Sequence, residues 1–419
     1  MSEFIDNVEQ SPRVSELYEF VTRVHEGDDT DGITPEYEDA IEAVRPYDVL
    51  VIEDTLLNEG VSIQGVKEEI EPILEVLRPA LEAHEWDRPD SGHPIDNMLR
   101  ENRAIESHLS EISRLIDDIE SADRPPLAAV GDLQTHIEAL EEIDRHFVRK
   151  ENELFPYLED HWKHDRPLDV MWSIHDDIRS HRKTIETMVS NSEVDPETLS
   201  NLCDQCSTML RGLIFKEERI IFPVAMSTLT DDEWRTIQQE SAEIGYFEIE
   251  PEFAYLESTS TETDNDVASS PQSKGAGDLP AGAVELGLET GTLSLNEIEL
   301  LFDSLPVDVT YVDENDRVRY FNNPEDRIFP RSGSIIGRTV QNCHPPESVD
   351  KVEEILSAFR SGTKDRARFW IQNDDAFVVI EYFALRDGSG RYRGTLEVTR
   401  EVSDIRELEG EQRLVNWEE

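Results

Sequence analysis

The chain of 419 residues is short of lysine, of cysteine and of long apolar runs. Only eight of its 39 basic residues are Lys and the rest are Arg, set against 94 Asp and Glu, so the formal charge is −55. Such a surface repels nucleic-acid phosphates and anionic lipid, which argues against nucleic acid and membrane as partners. Three cysteines, Cys203, Cys206 and Cys343, are too few for a disulfide scaffold. No apolar stretch approaches membrane-spanning length, and the opening MSEFIDNVEQ lacks the basic and apolar parts of a signal peptide. The expectation is a cytoplasmic protein. Acidity on this scale is also a mark of disorder, but 37% hydrophobic residues and clear periodicity argue for folded domains. A salt-adapted, halophilic protein fits, because concentrated salt screens the self-repulsion.

What is present is a doubled helical signature. Lys150-Glu151-Asn152-Glu153-Leu154-Phe155-Pro156 aligns with Glu217-Glu218-Arg219-Ile220-Ile221-Phe222-Pro223. Each copy puts a carboxylate, Glu151 or Glu218, on an otherwise apolar stripe before a Pro expected to stop the helix. A carboxylate held against a core is costly unless it is protonated, hydrogen-bonded or bound to a cation.

The spacing predicts short helices over residues 1–90, a helical domain of unknown role in which Pro79 kinks or breaks a helix over 66–86. Residues 91–248 read as a four-helix bundle: one helix from His93-Pro94, one over about 127–157, one from near Leu168 and one over about 195–229, closed by a short helix over 231–244. Residues 249–293 are polar and rich in Gly, Pro and Ser, and read as a disordered linker. Residues 294–419 carry an amphipathic helix, two strands, short helices and three further strands, which fits a small α/β sensor domain with a five-stranded antiparallel sheet and a trailing helix.

Candidate metal ligands in the bundle are His93, Glu101, His146, Glu151, His175, His181, Glu217 and Glu218, since imidazole with carboxylate suits iron, manganese or zinc. The spacing is imperfect. His146 and Glu151 are five residues apart and not stacked on one helix face, and four residues after His146 comes Lys150, which does not ligate while protonated. The plainer alternative is that basic neighbours or buried water satisfy the carboxylates. Cys203-x-x-Cys206 lies within a helical pattern, where two small core residues are the simpler reading than redox chemistry. In the C-terminal region Cys343 and His344 are the reactive-looking pair, and a His or Cys beside a cavity there could hold a haem axially. Trp370, Phe377, Tyr382 and Phe383 read as core or dimer-face residues.

The segments HFVRKENELFPYLE, MWSIHDDIR and FKEERIIFPVAM resemble the hemerythrin-like (HHE cation-binding) bundle. GHPIDNMLREN resembles that family's first ligand-bearing helix and EWRTIQQESAEIGY its end. LPVDVTYVDENDRVRYFN and RIFPRSGSIIGRTVQNCHPPESVDKVEEIL resemble a PAS domain. Together these segments resemble prokaryotic proteins of haloarchaeal type that join an uncharacterised N-terminal helical domain, such a bundle and a PAS domain. The resemblance implies a non-haem iron centre, mononuclear or di-iron, with His93, His146 and His175 at ligand positions and Glu151 and Glu218 at the acidic ones. Two departures stand out: Lys150 follows His146 where the family carries H-x-x-x-E, and the fourth helix has Leu213 in place of its His, though Glu217 keeps the carboxylate.

The expected function is a cytoplasmic sensor or signalling adaptor. The bundle would sense iron, oxygen or redox state; the PAS domain would take a small-molecule or gas ligand, or mediate a homodimer; and the output would pass to a protein partner, no catalytic signature being found. The alternatives are a metal-free interaction scaffold with a PAS receptor domain, and a haem-binding PAS protein.

Overall fold

The computed structural model describes residues 11–120, 127–190, 196–253, 285–288, 290–324, 327–329, 331–373, 376–408 and 410. The chain divides into two compact units, Met1–Asp266 and Val267–Glu419. In the first, α1 (Pro12–His25), the short α2 (Thr30–Ile33) and α3 (Glu38–Glu42), α4 (Pro46–Asn58) and α5 (Ile63–Ala83) form an N-terminal helical layer. One apolar core runs without a break from Val14 in that layer to Phe247 beyond the bundle. The region read as 1–90 therefore shares its core with the region read as 91–248. Helix α5 runs on through Pro72 and also through Pro79, where a kink or break was expected. Its stripe Val66, Ile70, Ile73, Leu74, Leu77 and Leu81 is buried throughout, which offsets the hydrogen bond each Pro removes.

The bundle consists of α6 (Pro94–Glu120), α7 (Leu127–Ala139) continued by α8 (Ile143–Arg149) and α9 (Phe155–His161), α10 (Pro167–Ser190), and α11 (Pro196–Lys216) continued by α12 (Phe222–Thr228), with α13 (Asp231–Ile244) closing it. The expected helices are all there, with one difference of consequence. Neither Pro156 nor Pro223 ends a helix. Each sits at the second position of a resumed α segment, after a five-residue π turn, Lys150–Leu154 or Glu217–Ile221. A π turn widens the helix by one residue, which gives a proline ring room where an α-helix would clash with the carbonyl four residues back. The repeated signature thus encodes a π turn and not a stop.

In the second unit β1 (Glu285–Leu288) and β2 (Gly291–Ser294) form a hairpin inside the stretch read as linker, of which residues 254–284 and 289 lie outside the described residues. Helix α14 (Leu295–Asp303) follows. The sheet is five-stranded and antiparallel in the order β4-β3-β7-β6-β5, with β3 Asp308–Asp313, β4 Val318–Phe321, β5 Arg366–Asn373, β6 Ala376–Arg386 and β7 Tyr392–Glu401. Helix α15 (Pro346–Ser361) crosses between β4 and β5, and its Leu356 packs with Val312, Val318, Ile335 and Val340. Fully buried Asn322 accepts a hydrogen bond from Val309 N–H and donates to the Phe302 and Val307 carbonyls, which ties the end of α14 to β3. Helix α16 (Ser403–Glu407) opens the stretch read as a trailing helix, of which residues 409 and 411–419 lie outside the described residues.

Gly394 on β7 has φ +143°, and a Cβ there would be driven into the Val312 carbonyl and the Tyr311 ring. Replacing Gly394 by Val should destabilise this unit by about 3 kcal/mol. The measurement is hydrogen exchange across β3 and β7, which should speed up while exchange in the bundle is unchanged.

Candidate functional site

The π turns set the geometry of the bundle interior. They turn Lys150, Glu151 and Glu217 inward together, all with 4% exposure or less. From α6 comes Glu101, from α8 His146 and Arg149, and from α10 His175, each also buried. An apolar core cannot hold isolated charges, so the arrangement is fixed by pairing.

Three carboxylates are matched by three cations. Glu101 takes both oxygens to Arg149 Nη2, and its Oε2 also accepts from His146 Nδ1 at 3.0 Å. Glu151 accepts from His175 Nδ1 at 2.7 Å and from both terminal nitrogens of Arg179 at 2.9 and 3.0 Å. Glu217 Oε1 accepts from Lys150 Nζ. Lys150 and Glu217 occupy equivalent positions in the two copies of the signature, so the duplicated unit closes on itself through an ion pair. Burial alone would raise the Glu101 carboxyl, but Arg149 and His146 prevail and hold its pKa down at about 2. Glu151 is likewise held at about 2, where the His175 and Arg179 bonds outweigh burial. Glu217 is depressed too, its burial overcome chiefly by Lys150. Burial pulls the Lys150 ammonium below its ordinary value against the opposing pull of Glu217.

A strap after α13 seals the centre. Phe247, fully buried, donates its backbone N–H to Glu101 Oε1 at 2.6 Å, and the Arg149 guanidinium lies 4.2 Å from the centre of the Tyr246 ring. His175 stacks on Phe147 with centroids 4.3 Å apart and planes 7° from parallel.

Of the eight candidate ligands, Glu101, His146 and Glu217 are brought together, and Glu151 meets His175. The others stand apart. His93 caps α6, its Nδ1 accepting the Ile95 N–H, with its ring edge-on to Trp234; burial lowers its pKa to about 4. His181 bonds the Asp177 carbonyl of its own helix. Glu218 is half-buried beside Asn102 at 3.4 Å and its pKa is raised by burial, so the inward carboxylate of the second copy is Glu217. The cations Arg149 and Arg179 had not been picked out as site residues. The signal for Arg149 was a basic pair, Arg149-Lys150, inside an apolar stripe, and Arg179 carried none.

The donor set does not fit a resident metal. His146 Nε2 and Glu217 Oε2 face each other at 3.6 Å with no hydrogen bond to either, and His175 Nε2 is also without one. Yet the other Glu217 oxygen carries an ammonium, and Glu101 and Glu151 are each neutralised by a guanidinium. Among the described residues no group of three or more His, Cys, Asp or Glu is arranged to hold a metal ion.

Elsewhere in the unit, Cys203 and Cys206 are buried, and burial pushes their thiols up to about 12 and about 11, which makes them inert. A cleft of about 310 Å3 lined by Arg45, Tyr47, His84, Trp86 and Val224 shares no residue with the ion centre. In the second unit a cavity lies between the sheet and α15, walled by Val312, Val340, Leu356 and Tyr382, with His344 and Glu397 as its polar groups. His344 Nδ1 is bonded to the Val340 carbonyl at 2.7 Å, and burial lowers its pKa. Cys343 is half-buried, its Sγ 3.5 Å from the Thr339 carbonyl. The cavity holds about 20 Å3, on the order of one water, so a haem does not fit it.

A helical bundle with a buried charge centre and a five-stranded antiparallel sheet crossed by a helix define a two-unit protein. The chain carries a hemerythrin HHE cation binding domain over residues 93–225 and a PAS domain over residues 298–403. No curated protein matches the chain significantly. Solved structures similar to part of it include a C-terminal domain from Streptococcus mutans, with 31% identity over 30% of this chain and 98% of that one, TM-score 0.29. A sensory box sensor histidine kinase from Vibrio cholerae shows 13% identity over 25% and 89%, TM-score 0.21. A PAS domain from Colwellia psychrerythraea shows 16% identity over 26% and 98%, TM-score 0.21.

Replacing Arg149 by Met should cost about 3–5 kcal/mol, because Glu101 is then buried without its cation. The melting temperature should fall on the order of 10 °C. The double variant Glu101→Gln, Arg149→Met should recover a large part of that loss in a thermal melt.

Proposed function

We propose that the chain is a non-catalytic signalling adaptor. In this reading its PAS domain receives a small ligand or a second copy of the chain, and its hemerythrin-type unit is an ion-paired scaffold rather than a sensor of iron, oxygen or redox state. The observation that carries this reading is the buried Lys150–Glu217 pair, with the ammonium at the position where the family's H-x-x-x-E pattern carries a carboxylate. With Glu101, Glu151 and Glu217 already neutralised, a divalent ion added among them would bring uncompensated charge into the core.

The PAS unit supports the receiving role in two ways. Its cavity is walled largely by apolar side chains with His344 and Glu397 at hand, and at about 20 Å3 it suits a ligand no larger than a diatomic gas. Its edge strand β5 exposes Phe369, Trp370 and Ile371, and α14 exposes Leu300 and Leu301. Exposed apolar surface of this kind, on a chain otherwise covered in charge, suits self-association. No helix among the described residues is long and apolar enough to cross a membrane.

Protein purified after expression in iron-supplemented medium should hold less than about a tenth of an equivalent of iron by elemental analysis and lack any visible band of an oxo-bridged or haem iron. One equivalent of iron retained through desalting would sink the scaffold reading. Light scattering on the same sample should give twice the chain mass, and Trp370→Glu should return it to the monomer mass; an unchanged mass would remove the PAS-mediated dimer.

A further inference from the structure

We infer that Lys150 is the permanent cation of this bundle, a covalently tethered ammonium standing where an exchangeable metal ion would otherwise balance the interior carboxylates. The inference rests on the scaffold reading above and deepens it by assigning the exclusion of metal to one side chain.

Four observations converge on Lys150. Its side chain is 1% exposed, and its Nζ bonds Glu217 Oε1 while lying 4.9 Å from the centre of the Phe147 ring. Next to it, Glu217 Oε2 and His146 Nε2 are buried, unbonded and 3.6 Å apart. His146 has its other nitrogen on Glu101, a carboxylate that can only accept, so Nδ1 carries a proton and Nε2 is the atom turned towards Glu217. His175 is held the same way by Glu151, and its Nε2 is also unbonded. Each imidazole is thus oriented as a metal ligand would be, with a carboxylate behind it. The one group at odds with that pattern is the ammonium. Ligands for a divalent ion remain, but the charge that would draw it in is already met.

Two consequences follow for the natural protein. A tethered cation does not dissociate, so the fold of the bundle is independent of metal supply and of chelators. The charge is also single and fixed, so the bundle has one state where a metal-loaded bundle has a bound and a free one.

The experiment compares full-length wild type with Lys150→Glu and Lys150→Ala, titrated with Co2+ alone and followed by cobalt ligand-field absorption and thermal melting. Wild type should bind less than about a tenth of an equivalent, and its melting temperature should not move with Co2+ or with EDTA. Lys150→Glu should melt on the order of 10 °C lower without metal, since Glu217 loses its counter-charge. It should then take up about one equivalent of Co2+ and regain most of that loss, and adding His146→Ala should cut the uptake at least tenfold. Lys150→Ala should bind more weakly, with the same dependence on His146.

Metal binding by wild type would overturn the scaffold reading itself. A metal-free wild type alongside folded Lys150 variants that bind no Co2+ would leave the scaffold reading standing and overturn the assignment to Lys150. Failure of both variants to fold even with Co2+ present overturns it too, because an external cation should then supply what Lys150 supplied.

Discussion

Everything inside the bundle depends on charge being matched where water cannot reach it. Three carboxylates, from Glu101, Glu151 and Glu217, meet Arg149, Arg179 and Lys150, and each pair joins different helices or different turns of the bundle. Removing either partner of such a pair leaves a bare ion in a low dielectric, which is far more costly than the pair is stabilising. The pairs therefore act less as a source of stability than as a lock on register. The π turns are part of the same constraint, because they bring Lys150 and Glu217, at equivalent places in a repeated signature, to face each other.

The choice of cation follows the geometry. Arg179 offers a planar fork, one terminal nitrogen to each Glu151 oxygen, while Arg149 gives its Nη2 to both Glu101 oxygens and its guanidinium also lies over Tyr246. Lys150 offers a compact point charge, the closest a side chain comes to a metal ion in shape. Lysine is rare here, yet Lys67, Lys150 and Lys216 all make ion contacts between helices, to Asp177, Glu217 and Glu53. Lys67 and Lys216 tie the N-terminal layer to the bundle, consistent with one continuous core across the two.

The PAS unit follows other rules. Its order comes from an antiparallel ladder around β7, a glycine at the one point where backbone and ring leave no room for a Cβ, and a buried Asn322 that gathers three backbone groups. The apolar residues left outside lie on the edge strand and on α14, so this unit is equipped for contact while the bundle is closed by its own charges and by the strap at Phe247.

The bundle helices, the β–helix–β order of the last hundred residues and the inward position of Glu151 were legible from periodicity and motif, because burial writes a repeat of three to four residues into a helix and of two into a strand. The short hairpin before α14 was not, since four-residue strands rich in Gly carry little pattern. Nor was the passage of helices through Pro79, Pro156 and Pro223, because a proline's local cost can be outweighed by burial or absorbed by a π turn. Composition and motif by themselves determined an acidic chain, a doubled signature and the residue types available for a charged centre. Which carboxylate takes which cation, that Glu217 and not Glu218 points inward, and that Lys150 fills the middle were decided only when four helices were packed together. Pairing energies depend on distance and burial between residues far apart in sequence, and no local pattern encodes those.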